Sequence, residues 1–188
     1  MKKKQKGEYG YRNFHIKSQA IKVFLCLLFI IVQLLARNFT QNQAVKNILT
    51  VMAIVSVLPM ANIASPFLVS LRYKTLPLEL YKKVSEQKNG QILYDLILTS
   101  SEQVISADVV VVHPVGAFVY CSNQKLDVKK AESYLNSVMK ANKLDPDVKI
   151  FLSEDKFLKR LKSLKPLSEY EDDGSLEYTV SLFKSLSM

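Results

Sequence analysis

Asp108 is a carboxylate within the apolar run 104–112, and metal binding is one of its interpretations. Metal-dependent cleavage of a phosphodiester needs two acidic groups on adjacent strands, because a hard cation such as Mg²⁺ takes oxygen ligands. It also needs a nearby lysine to stabilise the charge that develops. Asp108 has a second interpretation, as a structural residue that caps the following hairpin or pairs with a lysine. We favour the structural interpretation.

The other reactive side chains lack the neighbours that catalysis requires. The two histidines are His15, in a basic N-terminal segment, and His113, in a turn before a proline, so no histidine-centred triad can be built. The two cysteines, Cys26 and Cys121, have no Cys/His company of the kind that binds zinc, and they fit small apolar residues in a reducing compartment. No glycine-rich phosphate loop is present. The sequence therefore predicts no catalytic residue, no metal and no cofactor.

The elements that position Asp108 belong to a mixed α and β segment, residues 76–188. Hydrophobic spacing predicts a helix, three strands, a helix, a strand and two C-terminal helices, in that order. The continuous valines around Asp108 predict a strand that is buried on both faces. The predicted ranges are 78–88, 91–99, 104–112, 117–121, 127–143, 148–152, 156–165 and 175–186. Asp127 suits the N-cap of the helix 127–143.

A family resemblance rests on residues 108–120 and on this element order. Asp108 begins the hydrophobic run 108–112 of its strand, a turn containing Gly116 follows, and a further strand begins at Ala117. The pattern resembles the nuclease-related NERD domain of the restriction-endonuclease-like superfamily, over residues 78–152. The resemblance implies an α/β (α+β) fold with an αβββαβ core, to which this chain adds C-terminal helices.

The same resemblance implies that the catalytic site is degenerate. In NERD sequences the strand after the turn ends in Glu-x-Lys, and Cys121 and Asn123 stand at those two positions here. A thiol is a poor Mg²⁺ ligand, and an amide supplies no positive charge. Lys125 lies two residues further on, with no second carboxylate beside it, and migration of Glu102 into the site is a disfavoured alternative. Asp108, Cys121, Asn123 and Lys125 are thus candidates for a vestigial site in a pseudoenzyme.

Two apolar segments precede this domain and predict a transmembrane hairpin within residues 20–71. Segment 20–36 is uncharged apart from Lys22, whose ammonium can snorkel to the headgroups, and segment 47–71 carries no charge. A spanning helix needs about 20 such residues. A cleaved signal peptide is the alternative for the first segment, and it is disfavoured because no A-x-A-like site follows.

The second apolar segment contains an unusual polar residue, Asn62, between Pro59 and Pro66. Proline is tolerated in membrane helices as a kink. Asn62 has three candidate partners: the first helix, a partner chain, and a carbonyl freed by either proline. The sequence does not choose between them.

The distribution of charge along the chain indicates the membrane topology. The net charge of +9 lies entirely in residues 1–72, which hold ten basic residues and one acidic residue, whereas residues 73–188 are neutral overall. Basic residues concentrate near cytoplasmic helix ends. We therefore predict a multi-pass protein of a bacterial plasma membrane, with both termini cytoplasmic and anionic lipid around a basic tail, residues 1–19. Nucleic acid is disfavoured as a partner because the excess flanks the hydrophobic segments.

Three functions remain open at this stage. The favoured one is a membrane-anchored, non-catalytic interaction or scaffold protein that binds a protein partner through its hairpin or its α/β domain. The alternatives are a metal-dependent nucleic-acid-processing enzyme with a rearranged site, and a small subunit of a membrane complex. The basic helix 156–165 is expected to pack its apolar face into the core with its lysines solvated, rather than to lie on anionic lipid or bind nucleic acid.

Overall fold

The computed structural model describes residues 4–87, 89–100, 102–145, 147–171 and 174–188. Over these residues the chain forms six α-helices and one four-stranded sheet, so the predicted mixed α and β class is confirmed. Contacts divide the chain into two compact units. One unit is residues 13–74, and the other combines the described residues up to Arg12 with those from Thr75 onward.

The first unit consists almost entirely of two long helices, α1 (Tyr11–Phe39) and α2 (Gln43–Ser70). Both helices are long and apolar enough to cross a membrane. The predicted bounds, 20–36 and 47–71, follow the apolar segments. Both helices begin earlier in the structure, and the first also ends later, because helical hydrogen bonding continues into the charged flanking residues. Lysine and arginine are good helix formers, so charged flanks do not end a helix. The side chain of Asn42 caps α2 by accepting the Ala44 N–H at 2.9 Å.

The two helices pack through few polar contacts. Gln33 on α1 and Ala53 on α2 are buried, and the Gln33 amide donates to the Ser56 hydroxyl at 3.5 Å. Most large apolar side chains of both helices remain exposed, among them Phe24, Leu25, Phe29, Val32, Val51, Ile54, Val55 and Leu58. Such an exposed apolar surface is the one that a lipid-embedded hairpin requires.

The second unit is built on a mixed sheet whose strand order follows the chain order. The first two pairs, β1 with β2 and β2 with β3, are antiparallel, and β3 pairs with β4 in parallel. A parallel pair needs a crossover connection, which a helix supplies here. The strands are β1 (Gln91–Thr99), β2 (Val104–His113), β3 (Gly116–Tyr120) and β4 (Val148–Phe151).

Four helices surround this sheet: α3 (Leu78–Ser85), α4 (Val128–Ala141), α5 (Glu154–Lys162) and α6 (Ser175–Leu186). The α4 crossover begins where the Asp127 carboxylate accepts the Lys130 N–H at 3.2 Å, which is the predicted cap. A short 3₁₀ turn, Leu167–Glu169, is a further element that the sequence pattern does not predict. The predicted element order is otherwise confirmed, with ends that differ by a few residues.

The sheet separates two apolar clusters, as the valine run of β2 predicts. Val110 and Val112 belong to the cluster beneath α4 and α6, whereas Val109 and Val111 belong to the cluster beneath α3 and α5. Within α5, Phe157 is fully buried while the neighbouring lysines are exposed, so the predicted orientation of this basic helix is confirmed.

Candidate functional site

Asp108 lies in the middle of β2 and is 2% exposed. Its Oδ1 atom is 2.8 Å from Nη1 of Arg12, and its Oδ2 atom accepts the Ser122 N–H at 2.7 Å. Both carboxylate oxygens are therefore engaged by positively polarised hydrogens. The predicted structural pairing is present, and its cation is an arginine from the N-terminal segment rather than a lysine.

Arg12 is as deeply buried as the carboxylate that it neutralises, with 2% of its surface exposed. It lies in the first turn of α1, and its Nη2 atom donates to the Leu96 carbonyl of β1 at 3.1 Å. The prediction placed Arg12 in a basic tail, residues 1–19. The structure differs because a guanidinium that reaches a buried carboxylate becomes part of the domain interior, and a count of charges along the chain does not reveal that pairing.

A second carboxylate, Asp95 of β1, lies directly across from Asp108. The ladder pairs Tyr94 with Val109 and Leu96 with Ala107, which leaves Asp95 and Asp108 at the intervening positions of the two strands. Asp95 has a left-handed backbone, with φ of 58°. Such a conformation is uncommon outside glycine and is tolerated best by Asn and Asp.

Both strands change faces at this pair of aspartates. On β1, Leu93 and Leu96 belong to the same apolar cluster although strict alternation would separate them. On β2, Ala107 and Val110 likewise share that cluster across Asp108. The aspartates therefore mark a coordinated irregularity of two adjacent strands, at the point where the guanidinium enters.

Asp95 is held by backbone donors. Its Oδ2 atom accepts the Gly10 N–H at 2.6 Å, and its Oδ1 atom accepts the Leu76 N–H at 3.2 Å. Burial raises the pKa of Asp95, and the Asp108 charge adds to that rise, whereas Arg12 and the two N–H donors oppose it. Arg12 thus acts on two buried carboxylates. It forms an ion pair with Asp108, and its positive charge opposes the rise in the pKa of Asp95.

The N-terminal segment 4–12 lies along the outer edge of β1. The Tyr94 N–H donates to the Gly7 carbonyl at 2.8 Å, and Tyr9 stacks on Tyr81 with ring centroids 4.1 Å apart. Gly7 has φ of 92°, and a Cβ atom there would lie 2.7 Å from a Leu93 methyl, so glycine suits this close approach. Further along the same edge, the Met188 N–H donates to the Ile97 carbonyl at 3.1 Å. Both chain ends thus cover an edge that would otherwise be open to pairing.

Cys121 is the only one of the predicted Glu-x-Lys positions that the structure brings to Asp108. It follows β3 and is fully buried, with its N–H donating to the Phe151 carbonyl at 3.0 Å. Burial raises the pKa of the Cys121 thiol well above its ordinary value, and the Asp108 charge raises it further against a smaller opposing effect of Arg12. The thiol is therefore protonated at neutral pH.

The remaining candidates lie outside this cluster. Asn123 and Lys125 are in the loop between β3 and α4, where the Asn123 side chain accepts the Lys125 N–H at 3.1 Å in a local turn. Glu102, the disfavoured substitute carboxylate, pairs with Lys130 at 2.9 Å on the surface. His113 accepts the Val115 N–H on Nδ1 at 3.2 Å, so it has the predicted turn role.

A magnesium ion does not fit these residues. Mg²⁺ needs carboxylate oxygens that are free to coordinate it in near-octahedral geometry. Here the oxygens of Asp108 and Asp95 already accept four hydrogen bonds from N–H donors, and Cys121 offers a protonated soft ligand. Among the described residues, no group of three or more His, Cys, Asp or Glu side chains is arranged to hold a metal ion.

We predict that breaking the Arg12–Asp108 pair destabilises the domain more than removing both partners. Arg12→Met leaves a buried carboxylate without its cation, which costs about 3–5 kcal/mol of unfolding free energy. The double variant Arg12→Met/Asp108→Leu should be more stable than Arg12→Met alone, because it leaves no side-chain charge buried without a partner. Urea unfolding of the full chain in detergent, followed by tyrosine fluorescence, measures both.

The exposed Lys83–Glu154 pair, whose atoms also lie 2.9 Å apart, provides the matched control. Lys83→Met should change the unfolding midpoint little, because solvent already screens this pair. Equal midpoints for Arg12→Met and Lys83→Met would refute the assigned role of Arg12.

No protein-family model, curated protein or solved structure matches the chain.

Proposed function

We propose that this protein is a membrane-anchored, non-catalytic interaction module, in which Arg12 closes the position where a nuclease of similar architecture would hold its metal. The observation that carries the proposal is the Arg12–Asp108 ion pair, with both partners about 2% exposed. A site sealed in this way offers neither a cation nor an open carboxylate to a phosphodiester.

The proposal assigns the domain to the restriction-endonuclease-like architecture. The run α3-β1-β2-β3-α4-β4 has the αβββαβ order of that core, and helices cover both faces of the mixed sheet. Asp108 on β2 and the turn at Gly116 correspond to the motif on which the NERD resemblance rests. In this assignment the C-terminal helices α5 and α6 are additions that complete the two outer layers.

Arginine replaces the charge of a metal ion but none of its chemistry. The guanidinium neutralises a buried carboxylate through directed hydrogen bonds. A guanidinium only donates hydrogen bonds, so it does not coordinate or exchange water as a metal ion does. Asp108 is therefore assigned a structural role, and the domain is left with its surface as the means of function.

The same proposal places α1 and α2 across a bacterial plasma membrane, with both chain ends in the cytoplasm. Lys17 precedes the apolar part of α1 and Lys22 lies near its start, and Arg72 and Lys74 follow α2. The intervening connection has Arg37 and Lys46 at its edges, whereas the other eight basic residues of segment 1–72 lie on the opposite side of the two helices.

The full chain in detergent should not cleave DNA or RNA with Mg²⁺ or Mn²⁺. The assay has to use the full chain because a fragment starting near residue 75 lacks Arg12 and the Gly10 donor to Asp95. Asp108→Ala should lower the melting temperature and leave the background rate of cleavage unchanged, and Glu102→Ala should alter neither. Metal-dependent cleavage that Asp108→Ala abolishes would establish the rearranged-enzyme alternative instead.

Topology is testable by cysteine labelling in a Cys26→Ala/Cys121→Ala background. Thr40→Cys, between the two helices, should react with a membrane-impermeant maleimide in intact bacterial cells. Lys125→Cys, in an exposed loop of the domain, should react only after permeabilisation. The opposite pattern would invert the assigned orientation, and labelling of both sites in intact cells would contradict a cytoplasmic domain.

A further inference from the structure

The exposed face of α2 carries a polar residue that the hairpin does not satisfy. Asn62 is exposed, and its side chain makes no hydrogen bond within the described part of the chain. Ala53, which is buried, lies nine residues earlier. Nine residues at about 100° each amount to two and a half turns, so Asn62 is on the opposite side of α2 from Ala53. The first helix, one of its three candidate partners, therefore lies on the side of α2 opposite to Asn62.

Two further polar groups occupy the same level of α2. Pro66 has no N–H, so the Asn62 carbonyl loses the donor that normally lies four residues later. The Ser65 hydroxyl is exposed and lacks a hydrogen bond within the described residues. Other hydroxyls of this helix are satisfied, since Thr50 donates to the Lys46 carbonyl and Ser56 to the Met52 carbonyl, each at 2.8 Å.

The depth of this polar group makes water an unsuitable partner, given the proposed membrane insertion of α2. The uncharged segment 47–71 has its midpoint at residue 59. Asn62 is three residues away, or about 4.5 Å along a helix. An amide at that depth faces hydrocarbon, where unsatisfied polar groups cost several kcal/mol on a general scale. A neighbouring helix therefore has to supply the missing hydrogen bonds.

We propose that a second copy of this chain supplies them, through a symmetric α2–α2 contact centred on Asn62. An amide carries a donor and an acceptor, so two copies related by a two-fold axis satisfy each other without any further polar residue. The flanking residues suit close approach, because Ala61 and Ser65 are small and Leu58, 69% exposed, offers apolar packing surface. The interface consists of Leu58, Ala61, Asn62 and Ser65.

Disulfide cross-linking in lipid nanodiscs or native membranes tests the geometry of this contact. In a Cys26→Ala/Cys121→Ala background, Ser65→Cys should give a dimer of the 21.4 kDa chain on oxidation. Ala64→Cys is the matched control, because it has the same depth but lies about 100° around the helix, toward the first helix. It should give no dimer. Equal cross-linking at both positions, or none at Ser65→Cys, would overturn the proposed face.

The role of the Asn62 amide is tested by fluorescence energy transfer between labelled copies. The association is measured at increasing dilution in lipid. Asn62→Leu should weaken the association constant about tenfold, since interhelical hydrogen bonds in model peptides contribute roughly a factor of ten. Asn62→Gln keeps a donor and an acceptor and should retain most of the association, and Ser56→Ala, within the hairpin, should retain all of it. Unchanged association of Asn62→Leu, or pairing only with a different membrane protein, would overturn the proposal.

This inference rests on the proposed membrane anchor, and alkaline extraction separates the two failures. A chain released from membranes by carbonate contradicts the anchor and the dimer together. A chain that stays in the membrane but remains monomeric at every lipid dilution contradicts only the dimer.

Discussion

A guanidinium buried in a protein interior has to be neutralised and hydrogen-bonded, and much of the domain described here follows from that requirement. Arg12 meets Asp108 at 2.8 Å and the Leu96 carbonyl at 3.1 Å, so one side chain joins the start of α1 to both β1 and β2. To reach them, segment 4–12 lies along the edge of β1, with Gly7 bridging to Tyr94. Asp95 then fixes the backbone of this segment at Gly10.

The same pair accounts for the absence of an open carboxylate at Asp108. Ion pairs of this kind contribute little net stability compared with apolar residues of the same volume, yet losing one partner is strongly unfavourable. That asymmetry explains how a buried carboxylate persists once Arg12 is present, because neither residue is replaced alone without loss. In the proposed function, Asp108 has a structural role, because an internal cation occupies the position that a metal ion would need.

Sequence patterns predicted the fold better than the site. The valine run of β2, the Asp127 cap and the amphipathic α5 each depend on local spacing, and the structure confirms all three. Arg12 and Asp95 were missed because their roles depend on contacts between distant segments. One signal was available: a lone aspartate interrupts each of two adjacent apolar strands, while the domain from residue 73 onward has no surplus cation. The backbone irregularity at Asp95, which changes the strand faces, has no periodic signature.

The central claim is that Arg12 occupies the position of a divalent cation at Asp108. Titration of the full chain in detergent with Mn²⁺, followed by electron paramagnetic resonance of the free ion, tests this claim directly. The structure predicts no saturable binding at neutral pH by the wild-type chain, and the same result for Asp108→Asn. Stoichiometric Mn²⁺ binding by the wild type that Asp108→Asn abolishes would contradict it.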